Sequence, residues 1–187
     1  MDTRERLIES TMELLWERGY VATSPKAIQR RAQAGQGSMY HHFTGKHDLA
    51  LEAIRRSAEQ VCAVAESYFT ASGSAYERIS AYLTRERDVL RGCRIGRLTQ
   101  DPDIMADPEL RRPLDETFGW MRKRLTETIA CGQEQNEFDS DFDPGEIAAA
   151  IAATVQGGYV LSKAAGSEGP FNDTIRGMLR LLGSLKT

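Results

Sequence analysis

Along the whole chain apolar side chains return at steps of three and four, the period of an α-helix, and no run alternates in the two-residue rhythm of a strand. From Thr3 to Arg18, Leu7, Ile8, Thr11, Met12, Leu14 and Leu15 share one side, while Arg4, Glu5, Glu9, Glu13 and Glu17 take the other. This predicts an amphipathic helix that stops at Gly19. Ser24 and Pro25 predict the start of a second helix. The serine hydroxyl can accept from free backbone N–H groups, and proline in the first helical position has no N–H to lose. That helix is short, with Ala27, Ile28 and Ala32 inward and Lys26, Gln29, Arg30 and Arg31 outward. Gly35, Gln36 and Gly37 interrupt the pattern before Ser38 to Phe43 resume it for about two turns. Two short helices joined by a tight, glycine-containing link are what a helix-turn-helix needs.

A long helix is expected past Leu49, with Leu51, Ile54, Ala58, Val61, Ala65 and Tyr68 at helical spacing and a break near Ser72, Gly73 and Ser74. Tyr76 to Leu90 predicts another amphipathic helix. Gly92, Gly96, Pro102, Pro108 and Pro113 predict short helices and turns between Arg91 and Pro113. Leu114, Phe118, Met121, Leu125 and Ile129 then form an inward stripe from Leu110 to near Gly132. Asp143, Pro144 and Glu146 make a start signal of capping-box type, and Ile147 to Ser162 contains no charged residue. That run is shorter than the roughly 20 apolar residues of a bilayer span and is dominated by small side chains. A helix apolar on every side has to be buried on every side. One side is expected to meet its own domain. The other, where Ala149, Ala153, Gly157 and Gly158 allow close approach, is expected to meet a second copy of the chain. A terminal helix begun at Asn172 or Asp173 and carrying Ile175, Met178, Leu179, Leu182 and Leu185 would complete that contact. The expected fold is all-α, with a three-helix helix-turn-helix domain over residues 1–48 and a helical bundle over residues 49–187.

Charge sharpens this picture. The chain of 187 residues is 41% hydrophobic and 27% charged, with a formal net charge of -3. Between Arg18 and Asp48, however, there is no carboxylate side chain, yet the stretch holds Arg18, Lys26, Arg30, Arg31, Lys46, His41, His42 and His47. An uncancelled positive field on an otherwise acidic chain points to a polyanion. The N-terminus, Met1 to Trp16, mixes charged with apolar residues and reads as neither signal peptide nor membrane anchor, so a cytoplasmic protein is expected. Cys62, Cys93 and Cys131 are odd in number and far apart, which suits reduced thiols in packing roles.

Enzyme signatures are missing: there is no GxSxG elbow, no Walker loop around Gly45-Lys46 and no HExxH. His41 and His42 are adjacent, so on a helix they project about 100 degrees apart, a poor arrangement for a shared metal. Asp139, Asp141 and Asp143 lack the glycine and terminal glutamate of a calcium loop. No catalytic residue, metal ligand or cofactor is expected.

The second short helix carries the informative chemistry. Met39 and Phe43, four apart, lock it onto its neighbours and leave Gln36, Ser38, Tyr40, His41 and His42 more outward. Gly35 and Gly37 let backbone approach a neighbouring surface closely, and free N–H groups at a helix start favour anions. Hydroxyl, imidazole and lysine donors suit phosphate oxygens, and Gln36 can reach a base edge. Ser24 and Lys26, at the head of the preceding helix, join this candidate set. A solvated polar helix, or a protein-interaction module, gives the same pattern of residues.

The stretch GQGSMYHHFTGKHDL, preceded by ERGYVATSPKAIQRRA, resembles the DNA-binding domain of TetR-family transcriptional regulators. Gly19, Tyr20, Thr23, Ser24, Ile28, Ala32, Gly37, Ser38, Tyr40, His42, Phe43, Lys46 and Leu49 match the family pattern, and Met39 replaces its usual Leu. Gln33, Ala34 and Gly35 depart from it, so no side chain caps the third helix, and Gly45 and His47 replace the usual Ser and Glu around Lys46. The resemblance implies that Tyr40, His42 and Lys46 hold phosphates of double-stranded operator DNA and that Gln36, Ser38 and His41 face the major groove. It implies further a homodimer formed by paired C-terminal helices, including Met178 and Leu182, on half-sites roughly 34 to 36 Å apart. GCRIGRLTQD from Gly92, followed by DPELRRPLDETFGWMRKRL, is similar to the subgroup related to the LmrA and YxaF regulators. This implies that residues 49–187 bind a small-molecule effector; Cys93, Phe118, Trp120, Met121 and Tyr159 are candidates to line the pocket and Arg94 or Arg97 to anchor a ligand acid, with core packing as the alternative role of each, since aromatic and Met residues at helical spacing usually fill a core. The expectation is a ligand-responsive repressor. Its alternative is a helical small-molecule-binding protein or interaction module without DNA recognition.

Overall fold

The computed structural model describes residues 2–187, which form nine α-helices and one short 3-10 helix; among them β-pairing is limited to one isolated bridge, Phe138 with Lys186. The helices are α1 (Thr3–Arg18), α2 (Pro25–Ala32), α3 (Gln36–His42), α4 (Lys46–Phe69), α5 (Ala75–Thr84), α6 (Pro102–Ala106), α7 (Pro108–Glu134), α8 (Pro144–Ala165) and α9 (Gly169–Gly183). The 3-10 turn, Gly96–Gln100, precedes α6. The chain divides into two compact units. One is the chain up to Val61 together with Arg94–Thr117, and the other is Cys62–Cys93 together with Phe118–Thr187. As packing units these do not part at residue 48, because the segment Arg94–Thr117 belongs with the N-terminal helices.

In the first unit α1 buries Leu7, Ile8, Leu14 and Leu15, and Ile28, Ala32, Met39, Phe43 and Leu49 are buried from the helices that follow. Ile95, Leu98, Ile104 and Leu110 of the later segment are buried as well. The α1 helix ends at Gly19, whose φ of 79° and ψ of -178° lie in a region open in practice only to glycine. At α2, Ser24 Oγ accepts from the Ala27 N–H and Pro25 occupies the first turn. The end of α2 is formed by Gln33 in the left-handed conformation, φ 49°, a role no glycine announces. The α3 helix starts after Gly35 without a side-chain cap.

In the second unit α5 begins with a capping box between Ser74 and Glu77. The carboxylate of Glu137 accepts from the N–H groups of Ala75 (2.7 Å) and Tyr76 (3.0 Å) at the same helix start. The helix then stops at Thr84, not at Leu90 as its apolar spacing predicts. The α7 helix runs through Pro113, whose ring leaves one bond of the ladder unmade, so the segment expected to be broken there is continuous from Pro108. At α8, Asp143 accepts from the Gly145 N–H and Gly166 closes the helix with φ 62°.

The start of α9 corrects the expected one. It begins at Gly169, ahead of Asn172 and Asp173, because its cap comes from another helix: the buried Ser162 hydroxyl of α8 accepts from the Phe171 N–H at 2.8 Å. Gly158 makes room for the Phe171 ring, since a Cβ there would lie 2.9 Å from Phe171 Cδ2. Gly158, Met178 and Leu182 are therefore buried within their own unit and not on a face open to a second chain. Ala149 is half-buried, and the open side of α8 runs through Ala153, Gly157, Val160 and Leu161. The helical period could not foresee this, because a uniformly apolar helix does not say which side its own domain takes.

Partial burial works to raise the Glu137 carboxyl pKa, but the Ser74 hydroxyl and the two amide donors outweigh it and hold it below the ordinary glutamate value. A carboxyl depressed in the folded state stabilises the fold above its unfolded pKa and loses that contribution as pH falls through the folded one. Glu137→Gln is expected to lower unfolding free energy by about 1–2 kcal/mol at neutral pH. In denaturant titrations the gap should close as pH drops below the glutamate range, and a pH-independent gap would refute the assignment.

Candidate nucleic-acid interface

Two buried side chains, one in α3 and one just past its end, settle the orientation of this helix. Met39 is wholly buried and the following Phe43 is 4% exposed, so the opposite side faces outward. That side carries Gln36, Gly37, Tyr40 and His41 exposed, with Ser38 and His42 half-buried. Tyr40 is 51% exposed, a large ring with no packing reason to stand in water. Nothing lies within 4 Å of where a Cβ on Gly37 would sit, so the backbone there is open to a surface arriving from outside. Ser24 and Lys26 are exposed at the start of α2. The helix-turn-helix thus brings Ser24, Lys26, Gln36, Gly37, Ser38, Tyr40, His41 and His42 into one small module, as expected from their spacing.

Lys46 departs from the simple picture of an extended phosphate contact. Its Nζ rests 3.8 Å from the centre of the Tyr20 ring, and burial lowers its pKa, opposed by the charges of Asp101 and Asp103. Burial, followed by the charges of Asp107, Asp103 and Asp101, raises the pKa of Tyr20 itself. Two more members of the basic stretch are engaged. Arg31 pairs with Glu17 at 2.7 Å, and His47 lies 2.9 Å from Asp107, whose own pKa is lowered because backbone N–H groups and His47 outweigh desolvation. Arg18, Lys26 and Arg30 remain exposed.

One residue that spacing did not single out holds the module in shape. Asp101 is 8% exposed, and its Oδ2 accepts from the N–H groups of Tyr20 (2.6 Å) and Val21 (3.0 Å) in the turn between α1 and α2. Its Oδ1 accepts from Asp103 and Ile104 at the start of α6. A Cβ on Gly19 would stand 2.8 Å from Asp101 Oδ2, so Gly19 is needed for this contact as well as for its φ. The only local signal was the Asp101-Pro102 pair, which reads as an ordinary helix start.

The residues expected to meet a ligand are divided. Arg94 donates to Glu13 at 2.7 Å and covers the Trp16 ring at 4.0 Å, and Arg97 donates to the Glu17 carbonyl at 2.9 Å, all within the first unit. Cys93, Phe118, Trp120, Met121 and Tyr159 belong to the second unit. There Tyr159 stacks on Phe171, ring centres 4.8 Å apart, and Cys93 is near enough to act on its hydroxyl. Phe118 and Trp120 are half-buried and Met121 is buried on α7. The three cysteines are free thiols. Among the described residues no cluster of His, Cys, Asp or Glu suits a metal ion, and no helix is long and apolar enough to cross a membrane.

Comparison with known proteins agrees with this geometry. The sequence model described as "Bacterial regulatory proteins, tetR family" matches residues 7–53, and that described as "Tetracyclin repressor-like, C-terminal domain" matches residues 73–178. The chain belongs to the TetR family of helix-turn-helix transcriptional regulators. It is 25% identical over 180 residues to the HTH-type transcriptional regulator LmrA of Bacillus subtilis, covering 90% of each chain. A TetR-family regulator from Cytophaga hutchinsonii shares the fold with a TM-score of 0.89 and 24% identity, over 99% of this chain and 95% of that one. The regulator CifR, solved with 26-base-pair double-strand operator DNA, shares it with a TM-score of 0.80 and 21% identity over 94% of each.

Asp101→Asn should lower stability by about 1–3 kcal/mol, since the replacement amide keeps one acceptor oxygen for four donors. Hydrogen exchange at the Tyr20 and Val21 amides should rise with it. Unchanged protection at both would show that the carboxylate does not hold the turn.

Proposed function

We propose that the chain is a homodimeric repressor of the bacterial cytoplasm that binds a pseudo-palindromic double-stranded operator and leaves it when a small molecule occupies residues 49–187. The observation that carries this is the outward side of α3, where Tyr40, Gln36 and His41 stand exposed beside an unobstructed Gly37, over a base fixed by Met39. Residues 1–48 are the reader. Tyr40, His42 and Lys46 hold phosphates, with Ser24 and Lys26 beside them, and Gln36, Ser38 and His41 meet base edges in the major groove. Lys46 leaves the Tyr20 ring when a phosphate offers a stronger partner. The operator complex of CifR, a protein of the same fold, supports this placement.

Dimerisation follows from α8 and α9. Val160 (68% exposed) and Leu161 (55%) on α8 and Leu181 (63%) on α9 stand in water as large apolar side chains, with the small Ala153 and Gly157 also open on α8. Burying them against a second copy makes binding of the second half-site a local event. Effector binding rests on the second unit, where Cys93, Phe118, Trp120, Met121 and Tyr159 supply an apolar lining. Arg94 and Arg97, already engaged in the first unit, are not its anchors. A released state that binds the effector better than the DNA-bound state is all that linkage requires.

Fluorescence anisotropy on operator fragments selected from the source genome tests the reader. Lys46→Ala should weaken binding and reduce the slope of log affinity against log salt by about one unit, whereas Tyr40→Phe should weaken it with the slope unchanged. Salt-insensitive binding, or none, would favour an interaction module instead, and a Lys46→Ala protein with unchanged affinity and slope would remove Lys46 from the phosphate contacts. Val160→Glu together with Leu161→Glu should give monomers in sedimentation and a loss of operator affinity of at least about tenfold. A dimer that survives both changes would remove this face from the interface.

A further inference from the structure

The end of α5 has no cause in its own sequence. Arg85, Glu86, Arg87, Asp88, Val89 and Leu90 contain neither glycine nor proline, and arginine and glutamate are good helix formers. The chain nevertheless leaves the helix at Arg85, φ -55° and ψ 150°, and Arg87 turns back so that its Nη2 donates to the Tyr82 carbonyl at 2.5 Å. Its guanidinium then lies 5.7 Å from the centre of the Tyr82 ring and 5.1 Å from that of Phe171. The Arg85 guanidinium lies 5.3 Å from the centre of the same tyrosine ring. Tyr82 is 5% exposed, Phe171 3% and Tyr159 9%.

Two cations are thus gathered on buried aromatic rings, and part of their donor set is left over. Arg87 Nε and Nη1 and Arg85 Nε are buried and make no hydrogen bond, and the side-chain acceptors nearest to the two guanidiniums are the neutral hydroxyls of Tyr159 and Tyr82. The groups acting most strongly on Arg87 besides burial are Tyr159, Arg85 and Tyr82, and none is a carboxylate. A half-buried guanidinium whose inner donors are open, with a like charge beside it, is held at a cost that an apolar side chain of similar length would not carry. Its retention, with a helix cut short to place it, calls for an acceptor from outside the chain.

We propose that the second unit carries a site for an organic carboxylate, whose oxygens accept from Arg87 and Arg85 and whose apolar body lies against Tyr82, Tyr159 and Phe171. A carboxylate supplies a negative charge between two guanidiniums and acceptors that suit the planar fork, and aromatic walls suit a flat or hydrocarbon body. This deepens the effector reading above and rests on it for any consequence at the operator.

Benzoate, its neutral isostere benzamide and phenyl phosphate serve as probes on the full-length protein. Benzoate is expected to bind with a Kd of about 1 mM and, at about tenfold excess over that value, to raise Tm by about 3 °C, with no rise from benzamide. Arg87→Met should weaken benzoate at least about tenfold while lowering the ligand-free Tm by no more than about 4 °C, because it gives up one bond to the Tyr82 carbonyl and no acid of the protein loses its partner. Arg87→Lys, which keeps the charge but not the fork, provides a second variant and should also weaken it about tenfold. Equal responses to benzoate and benzamide, no response to either, or a response to phenyl phosphate alone would overturn the proposal. So would an Arg87→Met protein that melts lower yet binds benzoate as before, since that marks a structural arginine. Benzoate bound through Arg87 with operator affinity unchanged would leave this site standing and defeat the effector reading instead.

Discussion

When α1 ends at Gly19, the chain turns through a backbone conformation that only glycine adopts readily, and the next two amide hydrogens, of Tyr20 and Val21, point at one oxygen of Asp101. The other oxygen of that carboxylate caps α6. Most of what the first unit presents follows from this arrangement. The turn sets where α2 begins, α2 and α1 bury Ile28 and Ala32, and those in turn seat Met39 of α3. A buried acid serving four backbone donors is satisfied without a cationic partner, and the basic residues of the module stay available for other purposes. Lys46 illustrates this, since it rests on the face of Tyr20 rather than pairing with the acid nearby.

The outward surface of α3 is defined as much by what is missing as by what is present. No carboxylate side chain occurs between Arg18 and Asp48, and Asp48 itself is turned to the Thr44 N–H and hydroxyl. Glu17, supplied by α1, offsets Arg31 alone. The remaining positive groups, Arg18, Lys26 and Arg30, are exposed on α1 and α2, and α3 starts with backbone N–H groups and no side-chain cap. An approaching polyanion meets fixed donors rather than a flexible cluster of lysines, which favours a defined register over mere adhesion.

The arginines of the two units make a contrast. In the first, Arg94 finds Glu13 and Trp16, Arg56 finds Glu5, Arg4 finds Glu52, and Arg97 finds the Glu17 carbonyl with only its Nε left buried and unbonded. In the second, Arg124 is held by Glu66 and Glu127 on the outside, while Arg87 and Arg85 sit among rings with donors left over. Proteins break their own packing rules chiefly at sites that do something, and the shortened α5 is the clearest such break in this chain.

The sequence by itself determined the helical class, the stop at Gly19, the Ser24-Pro25 start, the inward Ile28 and Met39 and the outward face of α3, because each of these depends on neighbours within a turn or two. Nearly all of the candidate DNA surface was legible for that reason. Only the tertiary structure decided which side of the uniformly apolar α8 turns inward, and hence that Gly158, Met178 and Leu182 pack at home while Val160 and Leu161 remain open. It also moved the start of α9 to a cap lent by Ser162, assigned Asp101 to a turn some 80 residues earlier, and ended α5 at Thr84. These are contacts between residues far apart in the chain, and periodicity, which records only how a helix repeats along its own axis, carries no information about them.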